Sequence, residues 1–198
     1  MHIGVDFDNT IVNCEPLFLK IALQKKLIPH DLKPGKRMVR DYLRSVGKET
    51  DWTALQGEVY GGLLQEAETF PGAIEFFKKA KSGGIRLSII SHKTKKSVLG
   101  PAYDLHQAAR NWLVKKKFLR KDLVTEADVF FETSWDDKLK RIGREKCTHF
   151  IDDLLEFLTQ SNFPLVTEKI LFDPSHQYET DAVRSARSWD ELAKWLLH

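Results

Sequence analysis

Ile3-Gly4-Val5-Asp6-Phe7-Asp8-Asn9-Thr10 carries a short apolar run into two aspartates at spacing i, i+2. A strand alternates its faces with period two, so extended geometry held through Phe7 aims both carboxylates the same way from the strand's C-terminal end. Open α/β sheets bind ligands at that edge. Two like charges so close are stable at neutral pH only when a proton or a cation is shared between them. A hard cation such as Mg²⁺ suits oxygen donors of this kind. A solvated turn is the plain alternative for an isolated Asp-x-Asp, so the reading depends on the rest of the chain.

A chain of 198 residues, 42% hydrophobic, is long enough for one substantial core and a small accessory domain. The formal charge of +3 is too small for a dedicated nucleic-acid binder. Lys115, Lys116, Lys117, Arg120 and Lys121 read as a solvated helix end, whereas Lys93, Lys95 and Lys96 follow Ser91 closely enough to attract an anionic substrate. Cys14 and Cys147 are far apart and have no Cys or His partner at metal-ligand spacing. Neither a disulfide framework nor a zinc site is expected, which fits a reducing cytoplasm. The start of the chain lacks a secretory pattern, and no stretch approaches the roughly 18 apolar residues of a membrane span.

Outward from the opening strand, His2 to Asp6, the texture first becomes helical. Glu15 to Lys26, Lys36 to Val46 and about Asp51 to Glu68 each carry an apolar stripe, and Pro29, Gly47 and Pro71-Gly72 separate or close them. Strands and helices then alternate. A helix runs to Lys81, Ile85 to Ile90 is a strand ending at Ser91, and Asp104 to Lys117 is a helix. Next come a strand at Asp128 to Phe131, a helix from Trp135 to Glu145, and a strand at Thr148 to Ile151 that ends in Asp152-Asp153. A helix from Leu154 to Thr159, a strand from Lys169 to Phe172 and a last helix near Trp189 to Leu197 finish the pattern. Such alternation predicts an α/β fold, a doubly wound, mostly parallel sheet covered on both faces. The Trp189, Leu192, Ala193, Trp195, Leu196 stripe reads as core.

Three strand ends then carry polar chemistry: Asp6-x-Asp8, Ser91 with His92, and Asp152-Asp153, the last preceded by a helix bearing Lys138 and Lys140. In this order the residues resemble the haloacid dehalogenase superfamily, whose motifs are an N-terminal Asp-x-Asp-x-Thr, a strand-end Ser or Thr, a helix-borne Lys and a late acidic pair. The resemblance implies a Rossmann-like core over residues 1–12 and 70–198. It also implies a small helical cap at 13–69, the position of the superfamily's C1 caps.

The resemblance further implies a Mg²⁺-dependent phosphatase acting on a small phosphorylated metabolite. Asp6 would be the nucleophile that forms an aspartyl-phosphate, and Asp8 the acid and base. Ser91 and Lys138 would hold phosphoryl oxygens. The metal would be bound by Asp6, the main-chain carbonyl of Asp8, and Asp152, with Asp153 assisting. Lys138 is preferred to Lys140 because it stands nearer the start of its helix. Members that break carbon–halogen bonds lack the second acid, so Asp8 favours phosphate esters. Thr10 would support the motif loop and border the phosphate, and His92 is a candidate substrate contact. A nucleotide or a sugar phosphate would serve as substrate. A non-catalytic phosphoacceptor module and a nucleic-acid end phosphatase remain the rival readings.

Overall fold

The computed structural model describes residues Met1–Leu197. In chain order the elements are β1 (His2–Val5), β2 (Val12–Asn13), α1 (Glu15–Gln24), α2 (Lys36–Ser45), α3 (Glu49–Gly57), β3 (Glu68–Thr69), α4 (Ala73–Ser82), β4 (Arg86–His92) and α5 (Leu105–Lys115). They continue with β5 (Val129–Glu132), α6 (Trp135–Arg144), β6 (His149–Asp152), α7 (Leu155–Leu158), β7 (Glu168–Phe172), β8 (Arg184–Ala186) and α8 (Trp189–Leu196). No helix among the described residues is long and apolar enough to cross a membrane.

The main sheet runs β5-β4-β1-β6-β7-β8, and every neighbouring pair is parallel. From β1 the chain therefore winds first to one side and later to the other, which makes β1 the strand at the topological switch. Its register sets Val5 level with both Ile89 of β4 and Ile151 of β6. The C-terminal ends of these three strands consequently share one edge. All four residues of β1 are buried, as expected of a central parallel strand.

Helices cover both faces. On one, Leu139 and Ile142 of α6 and Phe157 and Leu158 of α7 pack with Ile90, Phe150 and Leu171 of the sheet. On the other, Trp189 of α8 packs its ring 5.0 Å from Phe76 of α4 and 5.6 Å from Phe172 of β7, and its indole N–H donates to the Thr10 carbonyl at 3.1 Å. The final aromatic stripe is thus core at Trp189, while Trp195, further along, is stacked under the Arg184 guanidinium at 3.6 Å.

The strand β8 escapes sequence reading because Arg184-Ser185-Ala186 has no apolar run; it is a short edge partner of β7. The expected helix from Asp51 to Glu68 is also not continuous. It ends at Gly57, passes through one π-type turn at 58–62 and becomes a short 3₁₀ turn at 64–66. At this turn the Tyr103 ring lies where a Cβ on Gly61 would sit, at 2.5 Å. Only glycine lets a ring approach the backbone that closely.

By its contacts the chain forms two units. The first is Met1–Val12, Thr69–Lys93 and Lys117–His198; the second is Asn13–Glu68 with Thr94–Lys116. The second unit therefore contains α5 as well as the segment expected at 13–69. Inside it Phe18 stacks near Trp52 and Tyr60, at 5.1 and 5.3 Å, and the Trp112 indole N–H donates to the Ala67 carbonyl at 2.9 Å. Lys115 donates to the Gln65 carbonyl and Lys116 pairs with Glu68, so this basic helix end is tied down and not merely solvated.

In the first unit, a Cβ on Gly4 would meet the Phe150 ring at 2.6 Å and the Cys147 sulfur at 2.9 Å. Gly4→Ala should lower the free energy of unfolding by about 1–3 kcal/mol through overpacking. The shift of the denaturant midpoint measures it, and an unchanged midpoint would contradict so close an approach.

Candidate active site

The loop after β1 is tightly bound to itself. The amides of Ile11 and Val12 both donate to the Phe7 carbonyl at 3.1 Å, and the Asn9 amide donates to the Val12 carbonyl at 2.9 Å. Asn9 adopts a left-handed backbone, φ 60°, which asparagine tolerates better than most residues. Phe7 turns into the core, edge-on to Phe131 at 5.8 Å, and the aspartates on either side of it acquire separate partners.

Asp6 is buried at the end of β1. Its amide donates to the Ile151 carbonyl, and its Oδ1 accepts from Lys138 Nζ at 2.6 Å. Lys138 also donates to Asp152 Oδ2 at 2.6 Å, so one buried ammonium bridges the carboxylates of β1 and β6. The Ser134 hydroxyl caps α6 by accepting from the Asp137 amide at 3.1 Å, which fixes the turn that carries Lys138. Lys140, by contrast, is exposed and pairs with Asp137 at 3.6 Å. Asp152 uses its other oxygen to accept from the Leu154 amide at 3.0 Å.

Asp8 does not share that bridge. Its Oδ2 pairs with Lys93 Nζ at 2.7 Å, and Lys93 is only 3% exposed. Sequence reading treated Lys93 as part of a basic run at a strand end and missed this partnership. The available signal was its position two residues after Ser91, where a strand end delivers side chains to the same edge as Asp8. Ser91 itself is buried in β4, level with Phe131.

Burial pushes the Asp6 carboxyl up to about 7, with the neighbouring Asp152 and Asp8 charges adding to the shift and Lys138 opposing it. For Lys138, burial disfavours the ammonium, but Asp152 and Asp6 more than offset this and its pKa is raised. The pair therefore stays charged on the lysine side, and a surplus of negative charge remains. Two carboxylates, Asp6 and Asp152, share the single Lys138 ammonium.

Ligand oxygens of Asp6, Asp152 and Asp153 lie within 4.8 Å of one another. Three carboxylates carrying excess charge fit a hard divalent cation. The Asp8 carboxylate is not in that group, so any metal contact from Asp8 falls to its main-chain carbonyl. Asp8 Oδ1, both polar atoms of the Asn9 amide and Thr10 Oγ1 are buried with no hydrogen-bond partner among the described residues. Such atoms cluster where a ligand or ion belongs.

One expectation changes. Thr10 does not brace the loop with its hydroxyl, because Oγ1 is one of these unpartnered atoms and only its carbonyl is engaged. His92 directs Nε2 at the Thr133 carbonyl, 3.3 Å away. Since a carbonyl only accepts, Nε2 carries the proton. Burial lowers the pKa of His92, so the ring is held neutral in a local hydrogen bond.

Neither the family models nor the curated proteins compared with the sequence gave a match. Solved structures did. The chain is similar to the magnesium-bound HAD-hydrolase YfnB from Bacillus subtilis, at 14% identity and TM-score 0.59, covering 98% of this chain and 97% of that one. It is similar to a HAD family hydrolase from Deinococcus radiodurans with bound phosphate and sodium, at 16% identity and TM-score 0.57, covering 98% and 94%. A dehalogenase with an intermediate complex matches at 15% identity and TM-score 0.60, covering 100% and 97%. The six-stranded parallel sheet with its flanking helices thus has the fold of the haloacid dehalogenase superfamily hydrolases.

Proposed function

We propose that the chain is a hydrolase of phosphate monoesters, with Mg²⁺ as its cofactor and Asp6 as its nucleophile. The observation that carries this is the convergence of Asp6, Asp152 and Asp153 around one point, with a second acid, Asp8, held apart by its own lysine. Dehalogenases share the fold, but a second acid two residues beyond the nucleophile has work only where a leaving oxygen must be protonated.

Asp6, Asp152 and Asp153 would hold Mg²⁺, whose charge would neutralise phosphoryl oxygens and the surplus carboxylate charge. The remaining requirements fall to the chain itself. Phosphoryl transfer is governed by positioning and electrostatics. Asp6, fixed by its amide bond to Ile151 and by Lys138, would attack phosphorus to give an aspartyl-phosphate. Asp8 would give a proton to the departing alcohol and then take one from the water that releases phosphate. Ser91 and Lys138 would meet the non-bridging oxygens. The substrate would be a small phosphorylated metabolite such as a nucleotide or a sugar phosphate.

Purified protein with Mg²⁺ should hydrolyse 4-nitrophenyl phosphate, and Asp6→Asn should abolish turnover. Asp8→Asn should cost about 10²–10⁴-fold on an alkyl phosphate. Activity that survives Asp6→Asn, or an excess of chelator, would refute the assignment.

Metal affinity should depend on pH in a definite direction. With its pKa raised to about 7, Asp6 is mostly protonated below that pH, and a cation must displace the proton to bind. Mg²⁺ affinity, followed by calorimetry, should therefore weaken by up to about tenfold per unit as pH falls below about 7. Proton release on binding, read from buffers of different ionisation enthalpy, should grow over the same range.

A further inference from the structure

We infer that Lys93 is a positioning residue for Asp8, a role that rests on the phosphatase reading above. Lys93 is anchored at the end of β4, its amide donating to the Glu132 carbonyl at 2.8 Å. Its ammonium lies 2.7 Å from Asp8 Oδ2 and 5.6 Å from the centre of the Phe7 ring. Buried so fully, the side chain has little freedom to leave Asp8.

An ammonium only donates hydrogen bonds. The Asp8 oxygen that faces Lys93 therefore has no partner for a proton of its own in that direction. The other oxygen, Oδ1, is buried and has no hydrogen-bond partner among the described residues. Lys93 thus fixes Oδ2 and, with it, the orientation of the whole Asp8 carboxyl group.

The two steps then balance. An Asp6 oxygen forms a bond to phosphorus, the bond from phosphorus to the ester oxygen breaks, and that oxygen keeps the electron pair and takes a proton from the Asp8 carboxyl group. In the second step the oxygen of water bonds to phosphorus and its proton goes to the Asp8 carboxylate. The bond from phosphorus to Asp6 breaks, and its electron pair returns to the Asp6 carboxylate.

The test uses esters that differ in their need for an acid. A 4-nitrophenolate departs as a stable anion, whereas an alkoxide must be protonated. With the full-length protein and Mg²⁺, kcat/KM is measured for 4-nitrophenyl phosphate and ethyl phosphate in wild type, Lys93→Met and Lys93→Arg. Lys93→Met should lose about 10²-fold or more on ethyl phosphate but less than about tenfold on 4-nitrophenyl phosphate. Lys93→Arg, which keeps a donor-only cation, should stay within about tenfold on both. Should Lys93→Met fail to fold by circular dichroism, Lys93→Gln carries the same comparison.

Equal losses on the two esters, or none, in a working enzyme would overturn the role of Lys93 and leave the phosphatase reading standing. A wild type that hydrolyses neither ester would remove both.

Discussion

The ammonium of Lys138, held at 2.6 Å from both Asp6 and Asp152, is the interaction on which this edge of the sheet depends. It ties together three elements that meet nowhere near one another in sequence: the end of β1, the end of β6 and the first turn of α6. Taking Lys138 away would leave two buried carboxylates without their cation, a loss of about 3–5 kcal/mol in typical proteins. The bridge is therefore a poor source of net stability but a strong constraint on geometry. Satisfying both carboxylates holds α6 against the sheet at Lys138.

The hydrophobic core makes that docking available. Leu139 and Ile142, on the same helix as Lys138, pack with Phe150 and Leu171, and the Lys138 ammonium itself lies 4.2 Å from the centre of the Phe157 ring. The apolar surround excludes water, which raises the cost of each uncompensated charge and strengthens every attraction that remains. Acidic surplus, buried orphan oxygens and a bridging lysine are thus connected consequences of one choice, the burial of several charges at a strand edge.

Much of this was legible in the sequence because the information was local. The apolar run before Asp6, the Ser91 strand end and the Asp152-Asp153 pair each announce a strand terminus, and a parallel sheet brings such termini together. Lys138 could be preferred to Lys140 because position along a helix is also a local property. What stayed hidden depends on tertiary partners. Nothing near Lys93 in the chain says that its side chain will meet Asp8. The turn at Gly57 to Gly62 packs against the Tyr103 ring, some forty residues later, and β8 pairs along the edge of β7. Thr10 shows the opposite error: a familiar motif position suggested a hydrogen bond that its hydroxyl does not make.

The composition of the second unit bears on how such a molecule can be re-engineered. Because Thr94–Lys116 belongs with Asn13–Glu68, excising the earlier stretch alone would strip the Trp112 indole of its Ala67 acceptor and Lys115 of its Gln65 acceptor. A graft that exchanged this unit for another would have to carry both stretches, with Tyr103 and the Gly61-Gly62 pair moving as a matched set.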